Sequence, residues 1–423
     1  MLYLLLTFLL VMLFITTMSI RVKAPPFFTL LFGALFFGLL SGMAPDQVIL
    51  AAINGLGKIF AIFAVIILCG AVIAKTLHAQ GLIEGLVSDL RQRTGDTHSL
   101  SGLAGYIFAL PATCCITAFV MLTPVLEKLG GERSGKDLLY LAAIGSVLSY
   151  TLIYPTPVVI PLFSVLGSGA SPLLFDLVAV PLSLFLLGGV VFAFRARGSR
   201  EMDGRLRLEE KRGDNSIAPG IHWKAWAPFL AIFAAIPLFS IVFPLSHESM
   251  IQCIMLAGLL VCMALATPAA RIAGLLQGTR HAGVIMFDIC GAGAFGSVIV
   301  ASGFPEGVFP GMMTALPLVV IPFVFTAVIQ SAQGSRVVSA VISSQVLAGS
   351  AVSASMHPIP LILSVAAGTC VISYLSDPFF WLLQRTTGGS IWEVVRNYTL
   401  PLFVCGMVVL AAAVGLEVVL TGG

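Results

Sequence analysis

Charge is what this 423-residue chain has least of: Asp, Glu, Lys and Arg make up 10% of it, against 58% hydrophobic residues and a mean hydropathy of +1.05. About a quarter of an ordinary soluble domain is charged, so this composition excludes one. Metal chemistry lacks its residues too. Six histidines and eight cysteines are present, but the cysteines lie almost wholly in apolar stretches, and no CxxC pair or Cys/His cluster has ligand spacing. Hydrolysis and ATP coupling have no carriers either. There is no GxSxG elbow and no P-loop, and His247-Glu248 opens a zinc-protease pair whose second histidine is replaced by Ile251. Neither an enzyme nor a metal or cofactor is expected, and no nucleic-acid partner.

What the chain does have is apolar runs, the first at residues 2–20 and the last at 399–421, most of them long enough to cross a bilayer once. The segment Met1 to Ile20 has no basic n-region and no small-residue cleavage site, so it reads as a first transmembrane helix rather than a removed signal peptide. The predicted class is an all-α polytopic membrane protein. Two runs, 99–126 and 311–350, are interrupted by small and polar residues and read as re-entrant hairpins, turning near Pro111 to Thr117 and near Gln330 to Arg336.

The halves repeat. Cys69-Gly70-Ala71, Gly81 and Glu84-Gly85 recur as Cys290-Gly291-Ala292, Gly303 and Glu306-Gly307, an offset of 221 moving to 222, and Leu148-Ser149-Tyr150 returns as Ile372-Ser373-Tyr374 at 224. Residues 1–195 and 223–423 thus form two repeats joined by a basic linker, 196–222. With about five spanning helices and one re-entrant hairpin in each, the odd count inverts the second repeat. The positive-inside rule puts the linker in the cytoplasm and both termini outside. All 22 Lys and Arg residues then lie on the cytoplasmic side except Lys58, outside, and Arg336, within the membrane. That linker reads as a solvated connector that sets topology, with anionic-lipid binding as the alternative.

Four polar interruptions fall at one depth. Besides the hairpins there is Tyr150 to Pro157, with two prolines two apart, and Ser373 to Trp381, where Asp377 is followed by Pro378 inside the apolar run Leu361 to Leu383. Irregular backbone and a carboxylate in hydrocarbon point to a cavity, with a kinked helix and a snorkelling Asp377 as the alternative. Hairpin tips leave backbone N–H groups and positive dipole ends free, which suit a carboxylate. The candidate substrate-binding residues are Thr113, Cys114, Thr117, Tyr154, Thr156, Ser331, Gln333, Gly334, Ser335, Arg336, Ser373, Ser376 and Asp377. Asp377, then Asp288, would carry a coupled proton. Three readings of Arg336 stay open: a bidentate partner for a substrate carboxylate, a standing ion pair with Asp377 or Asp288, or a side chain snorkelling to the external face. His78, His98, His222 and His281 read as loop or helix-end residues.

At these residues the chain resembles the gluconate permease family, gluconate and proton symporters of the wider ion transporter superfamily. Cys290 to Phe295 with Gly303 looks like the family's glycine-rich segment, and Ala332-Gln333-Gly334-Ser335 is similar to its hairpin signature. Ser373, Asp377, Phe380 and Trp381 fit a Ser-His-Val-Asn-Asp-x-Gly-Phe-Trp pattern. Tyr374 stands where the family has histidine, Ser376 where it has asparagine, Tyr150 and Thr156 near two further histidines, and Ile116 at a glutamate. Gln330 stands near the family arginine, while Arg336 appears just beyond it. The resemblance implies an elevator-type transporter: inverted repeats, a scaffold, a moving domain, a homodimer in an inner membrane. The expected activity is import of a small organic anion, a hydroxy or sugar monocarboxylate, with protons. Sodium coupling, an intramembrane enzyme and a passive channel are the rivals.

Overall fold

The computed structural model describes residues 2–93, 96–201, 222–242, 247–374 and 376–421. Most of the predicted linker lies outside the described residues. The described chain is helical, with no strand. In the first half α1 (Leu2–Thr17), α2 (Pro26–Leu40), α3 (Pro45–Ala79), α4 (Leu82–Arg93), α5 (Thr97–Ala112), α6 (Cys115–Leu152), α7 (Val159–Leu166) and α8 (Pro172–Glu201) follow in order. The second half has α9 (Trp223–Val242), α10 (His247–Leu265), α11 (Pro268–Ala301), α12 (Phe304–Ala315), α13 (Val320–Gln333), α14 (Arg336–Leu347), α15 (Ala351–Ala354), α16 (Pro358–Val371), α17 (Pro378–Thr387), α18 (Ile391–Val394) and α19 (Leu400–Thr421). α8 thus runs past the predicted repeat boundary at residue 195.

Five described segments are long and apolar enough to span alone: Leu2–Val22, Pro45–Ala79, Pro172–Arg197, Pro268–Ala301 and Ile391–Leu420. α12 and α13, bent 120° to each other, make a sixth if taken as a pair. Shorter apolar helices such as Pro26–Leu40, Arg336–Leu347 and Pro358–Val371 supply the rest. They are short because proline or a left-handed residue cuts them. Proline opens α2, α3, α11, α16 and α17, where its missing N–H costs no helical bond.

The centre is the pair α3 and α11. A Cβ on Gly55 would lie 2.2 Å from the Gly293 carbonyl oxygen and 2.5 Å from Ser297 Cβ, and one on Gly274 would lie 1.9 Å from Thr76 Oγ1. Two helices approach this closely only over glycine, the usual means of tight packing where lipid gives no hydrophobic drive. Numbering rises along α3 as it falls along the facing α11, so the two run antiparallel. α6 is not straight. Its start joins α5 at Thr113-Cys114, yet Gly105 of α5 packs on the Ala142 carbonyl and Gly145 on that of Gly102, so its far end returns along α5.

On the linker side, buried Asp89 of α4 accepts from the His222 N–H (2.8 Å), His222 Nδ1 (2.7 Å) and Trp226 Nε1 (2.9 Å), tying α4 to the start of α9. Burial pushes this carboxyl up, but the three donors outweigh it and hold it below its ordinary value. Asp96 caps α5 through Ser99 N–H (2.8 Å) and pairs with Arg195 of α8.

Candidate functional site

The second hairpin turns where α13 ends at Gln333. Gly334 takes a left-handed φ of +76°, Ser335 is the extended residue that precedes the next helix and α14 begins at Arg336. A second interruption lies against this tip. α16 stops at Val371, and Asp377 caps α17 by accepting the Phe379 N–H at 2.9 Å. A Cβ on Gly334 would fall 2.0 Å from the Ser376 carbonyl oxygen, and Ser376 Oγ donates to the Ser331 carbonyl at 2.7 Å. Turn and break therefore touch through backbone, and only glycine fits between them.

Arg336 projects from the first residue of α14 into this junction and is buried. Its Nη2 donates to Ser373 Oγ (2.5 Å), the Tyr398 hydroxyl (3.0 Å) and Asp377 Oδ2 (3.2 Å), while Tyr398 donates to Asp377 Oδ2 at 3.3 Å. Of the readings left open, the standing pair with Asp377 is present. Asp288 is not the partner; its Oδ1 accepts the Phe27 N–H at 3.3 Å. All three Arg336 bonds leave from Nη2, and Nε is buried with no acceptor. A guanidinium so held has one edge engaged and another still able to donate.

A cavity of about 170 Å³ adjoins this pair. Cys114, Cys115 and Ile116 reach it from the first hairpin, Gln333 to Val337 from the second, and Asp377-Pro378 from the break. Tyr150 at the end of α6, Pro26, and Ile285, Asp288 and Ile289 of α11 close it. Cys114, Gln333, Gly334, Ser335, Arg336, Asp377 and Asp288 thus come together as a single lining.

The other candidates stand elsewhere. Thr113 is the left-handed residue of the first hairpin, packed on Gly70 of α3. Thr117 bonds His281 Nε2 at 2.8 Å. The Tyr154 N–H donates to Asp176 at 2.9 Å, its ring packs on Phe163 and its hydroxyl is buried without a partner. Thr156 and Ser331 hydroxyls turn back to the Ile153 and Val328 carbonyls at 2.7 Å each. None of these five lines the cavity, and Ser373 and Ser376 touch it only through Arg336 and the tip. Short hydroxyl side chains near a helix end find local carbonyls first, which spacing alone does not reveal. His281 is not at a helix end but inside α11, bonded to the first hairpin.

Sequence reasoning passed over Tyr398 and Thr399, whose hydroxyl gives 2.6 Å to the Ser373 carbonyl and satisfies the broken helix. A signal existed. Tyr154-Pro155 and Asp377-Pro378 are 223 residues apart, and Asp176 and Tyr398 are 222 apart. A break-to-helix contact occurs in both halves, made by the Tyr154 backbone N–H to Asp176 in the first and by the Tyr398 hydroxyl to Asp377 in the second.

Broken helices and opposed hairpin tips around a buried, charge-lined cavity, in a chain with several spanning helices, define a multi-pass transport protein rather than an enzyme. The chain belongs to the GntP family of permeases, whose family model matches residues 1–419. It is 22% identical to the high-affinity gluconate transporter of Escherichia coli K12, over 92% of this chain and 94% of that one. Against the gluconate permease of Pseudomonas aeruginosa it is 24% identical over 94% of each, and against the D-serine transporter of Escherichia coli K12 22% over 93% of each. Its fold is similar to the Alcanivorax borkumensis YdaH transporter (TM-score 0.57, 16% identical, 86% of this chain and 87% of that one). Neisseria gonorrhoeae MtrF is comparable (TM-score 0.59, 12% identical, 86% and 83%).

Proposed function

We propose that this permease is a secondary active symporter importing a small organic anion, gluconate or a related hydroxy or sugar monocarboxylate, together with protons by alternating access. The observation that carries the reading is the convergence of a buried guanidinium, a left-handed hairpin turn and two carboxylates on one cavity. The substrate class follows from the gluconate transporters it is similar to.

The Arg336–Asp377 pair supplies the coupling. While Asp377 is ionised it competes with any incoming carboxylate for Arg336. A proton on Asp377 removes the competitor and releases positive charge to the anion, so proton and substrate enter together and the loaded site is close to neutral. Neutral cargo passes through hydrocarbon at lower cost than charged cargo. Asp288, facing the same cavity, is the second proton acceptor. Cys114, Gln333, Ser335 and the Gly334 turn meet the substrate. Thr113, Thr117, Tyr154, Thr156, Ser331, Ser373 and Ser376 shape the tips and breaks around it.

In this reading residues 1–195 and 223–423 are inverted repeats, supported by the antiparallel α3 and α11 and by Thr76 and Ser297. These two lie one repeat offset apart, and each meets a glycine of the opposite helix. The hairpin-bearing part moves against a scaffold in an inner-membrane homodimer, with the 196–222 linker cytoplasmic and both termini outside.

Uptake of labelled gluconate into proteoliposomes under an imposed pH gradient, then an imposed sodium gradient, tests this. Accumulation is expected with the pH gradient, its pH dependence lost in Asp377→Asn. Accumulation with sodium alone, or gluconate-induced thermal stabilisation that survives Arg336→Gln unchanged, refutes it.

A further inference from the structure

Between α8 and α19 the outer surface carries a groove of about 370 Å³, larger than the Arg336 cavity and separate from it. Its walls are single helix faces, from Phe185 to Arg197 on α8 and from Leu400 to Val408 on α19. Gly189 keeps it open, because a Cβ there would meet nothing within 4 Å. Phe185 and Val404 on its rim are exposed apolar side chains, as on a surface facing lipid.

Two features say what lies in it. The rise from Phe185 to Arg197 is about 18 Å, close to the ~15 Å of one leaflet of hydrocarbon, so the groove has the depth of a single lipid layer. At its end Arg197 is exposed, donating to Asn397 at 3.4 Å and stacked 5.7 Å over the Phe194 ring. Among the described residues no carboxylate pairs with it. An apolar slot of leaflet depth that ends in a cation with no carboxylate partner among the described residues is complementary to an acyl chain bearing a phosphate.

We propose that this groove binds an anionic phospholipid of the leaflet facing the linker, its acyl chain along Gly189 and Val404 and its phosphate on Arg197. The lipid fills the space between the last long helix of each half and ties them together at the linker end.

Native mass spectrometry of the full-length protein in detergent, with added phosphatidylglycerol or phosphatidylethanolamine, tests it. Phosphatidylglycerol should be retained preferentially. Arg197→Gln should cut its retention about fivefold, the weight of one basic group at a membrane surface, without changing phosphatidylethanolamine. Gly189→Leu, whose Cβ meets nothing within 4 Å, puts apolar atoms into the groove, improves helix propensity and should lower retention of both. Equal retention of the two lipids, indifferent to Arg197→Gln, overturns the proposal. So does a Gly189→Leu protein that changes from dimer to monomer while its lipid retention stays the same, which would assign the groove to a second copy of the chain.

Discussion

Arg336 and Asp377 are 3.2 Å apart and both buried, so their coupling is measurable as stability. At an effective dielectric of ~20, opposite unit charges at that distance attract by about 5 kcal/mol, and dehydration of the two ions offsets much of it. Breaking the pair is different from never having made it. Arg336→Ala strands Asp377 with only the Tyr398 hydroxyl and the Phe379 N–H, and Asp377→Ala strands a guanidinium whose Nε already lacks an acceptor. Each single change is therefore expected to cost about 3–5 kcal/mol. The double variant leaves no orphaned charge, so it should cost about as much as either single one, a coupling of about 3–5 kcal/mol. Chemical unfolding of the detergent-purified protein at neutral pH, followed by helical circular dichroism, reads all four corners of the cycle. Additive losses, or singles costing less than ~0.5 kcal/mol as at exposed pairs, would refute the closed, water-poor junction on which the coupling argument depends.

Gly334→Ala combines a left-handed alanine, about 1–2 kcal/mol, with a backbone clash against Ser376. It should cut uptake at least tenfold, on the order of 1.4 kcal/mol or more, whereas Gly388→Ala, also left-handed but in open space, carries the same conformational cost without the clash and should keep its uptake. Cys114 lines the cavity and is only partly buried, so maleimide labelling at Cys114 followed by mass spectrometry should slow when gluconate is present; labelling indifferent to gluconate would place the substrate elsewhere. Asp89→Ala leaves three donors facing no acceptor and should lower stability by about 2–4 kcal/mol in thermal unfolding, with the anion affinity of the remaining folded protein unchanged. For Asp96, burial pushes the carboxyl up, but the Ser99 N–H and Arg195 outweigh it and bring it down to about 2. An unfolded Asp titrates near ~3.9, so its stabilising contribution is complete above that pH and is lost as pH falls toward 2. Asp96→Ala should flatten stability against pH in that window and cost about 1 kcal/mol at neutral pH as a lost cap.

Much of the candidate site was legible because breaking a transmembrane helix demands visible residues. Asp377-Pro378 and Gln333-Gly334-Ser335-Arg336 announce themselves inside apolar runs, and the structure brings them into contact. The threonines were less informative, since a hydroxyl in a helix is satisfied by its own preceding turn as readily as by a ligand. Thr156 donates to its local Ile153 carbonyl, while Thr117 is taken up by His281 of α11, a partner no local spacing shows. Tyr398 was passed over because it sits at the start of an apolar run and shows its role only in the company of Arg336.

By itself the sequence determined the environment and the class: a chain with 10% charge must put its apolar faces in lipid, and the few polar groups it keeps there must be buried together. Which of them meet was decided by tertiary structure. The Arg336 guanidinium settled on Asp377 and not Asp288, and the cavity took its walls from two hairpins, one break and α11, because close backbone contacts at Gly55, Gly293 and Gly334 fix where those elements cross. Local spacing carries no information about such crossings.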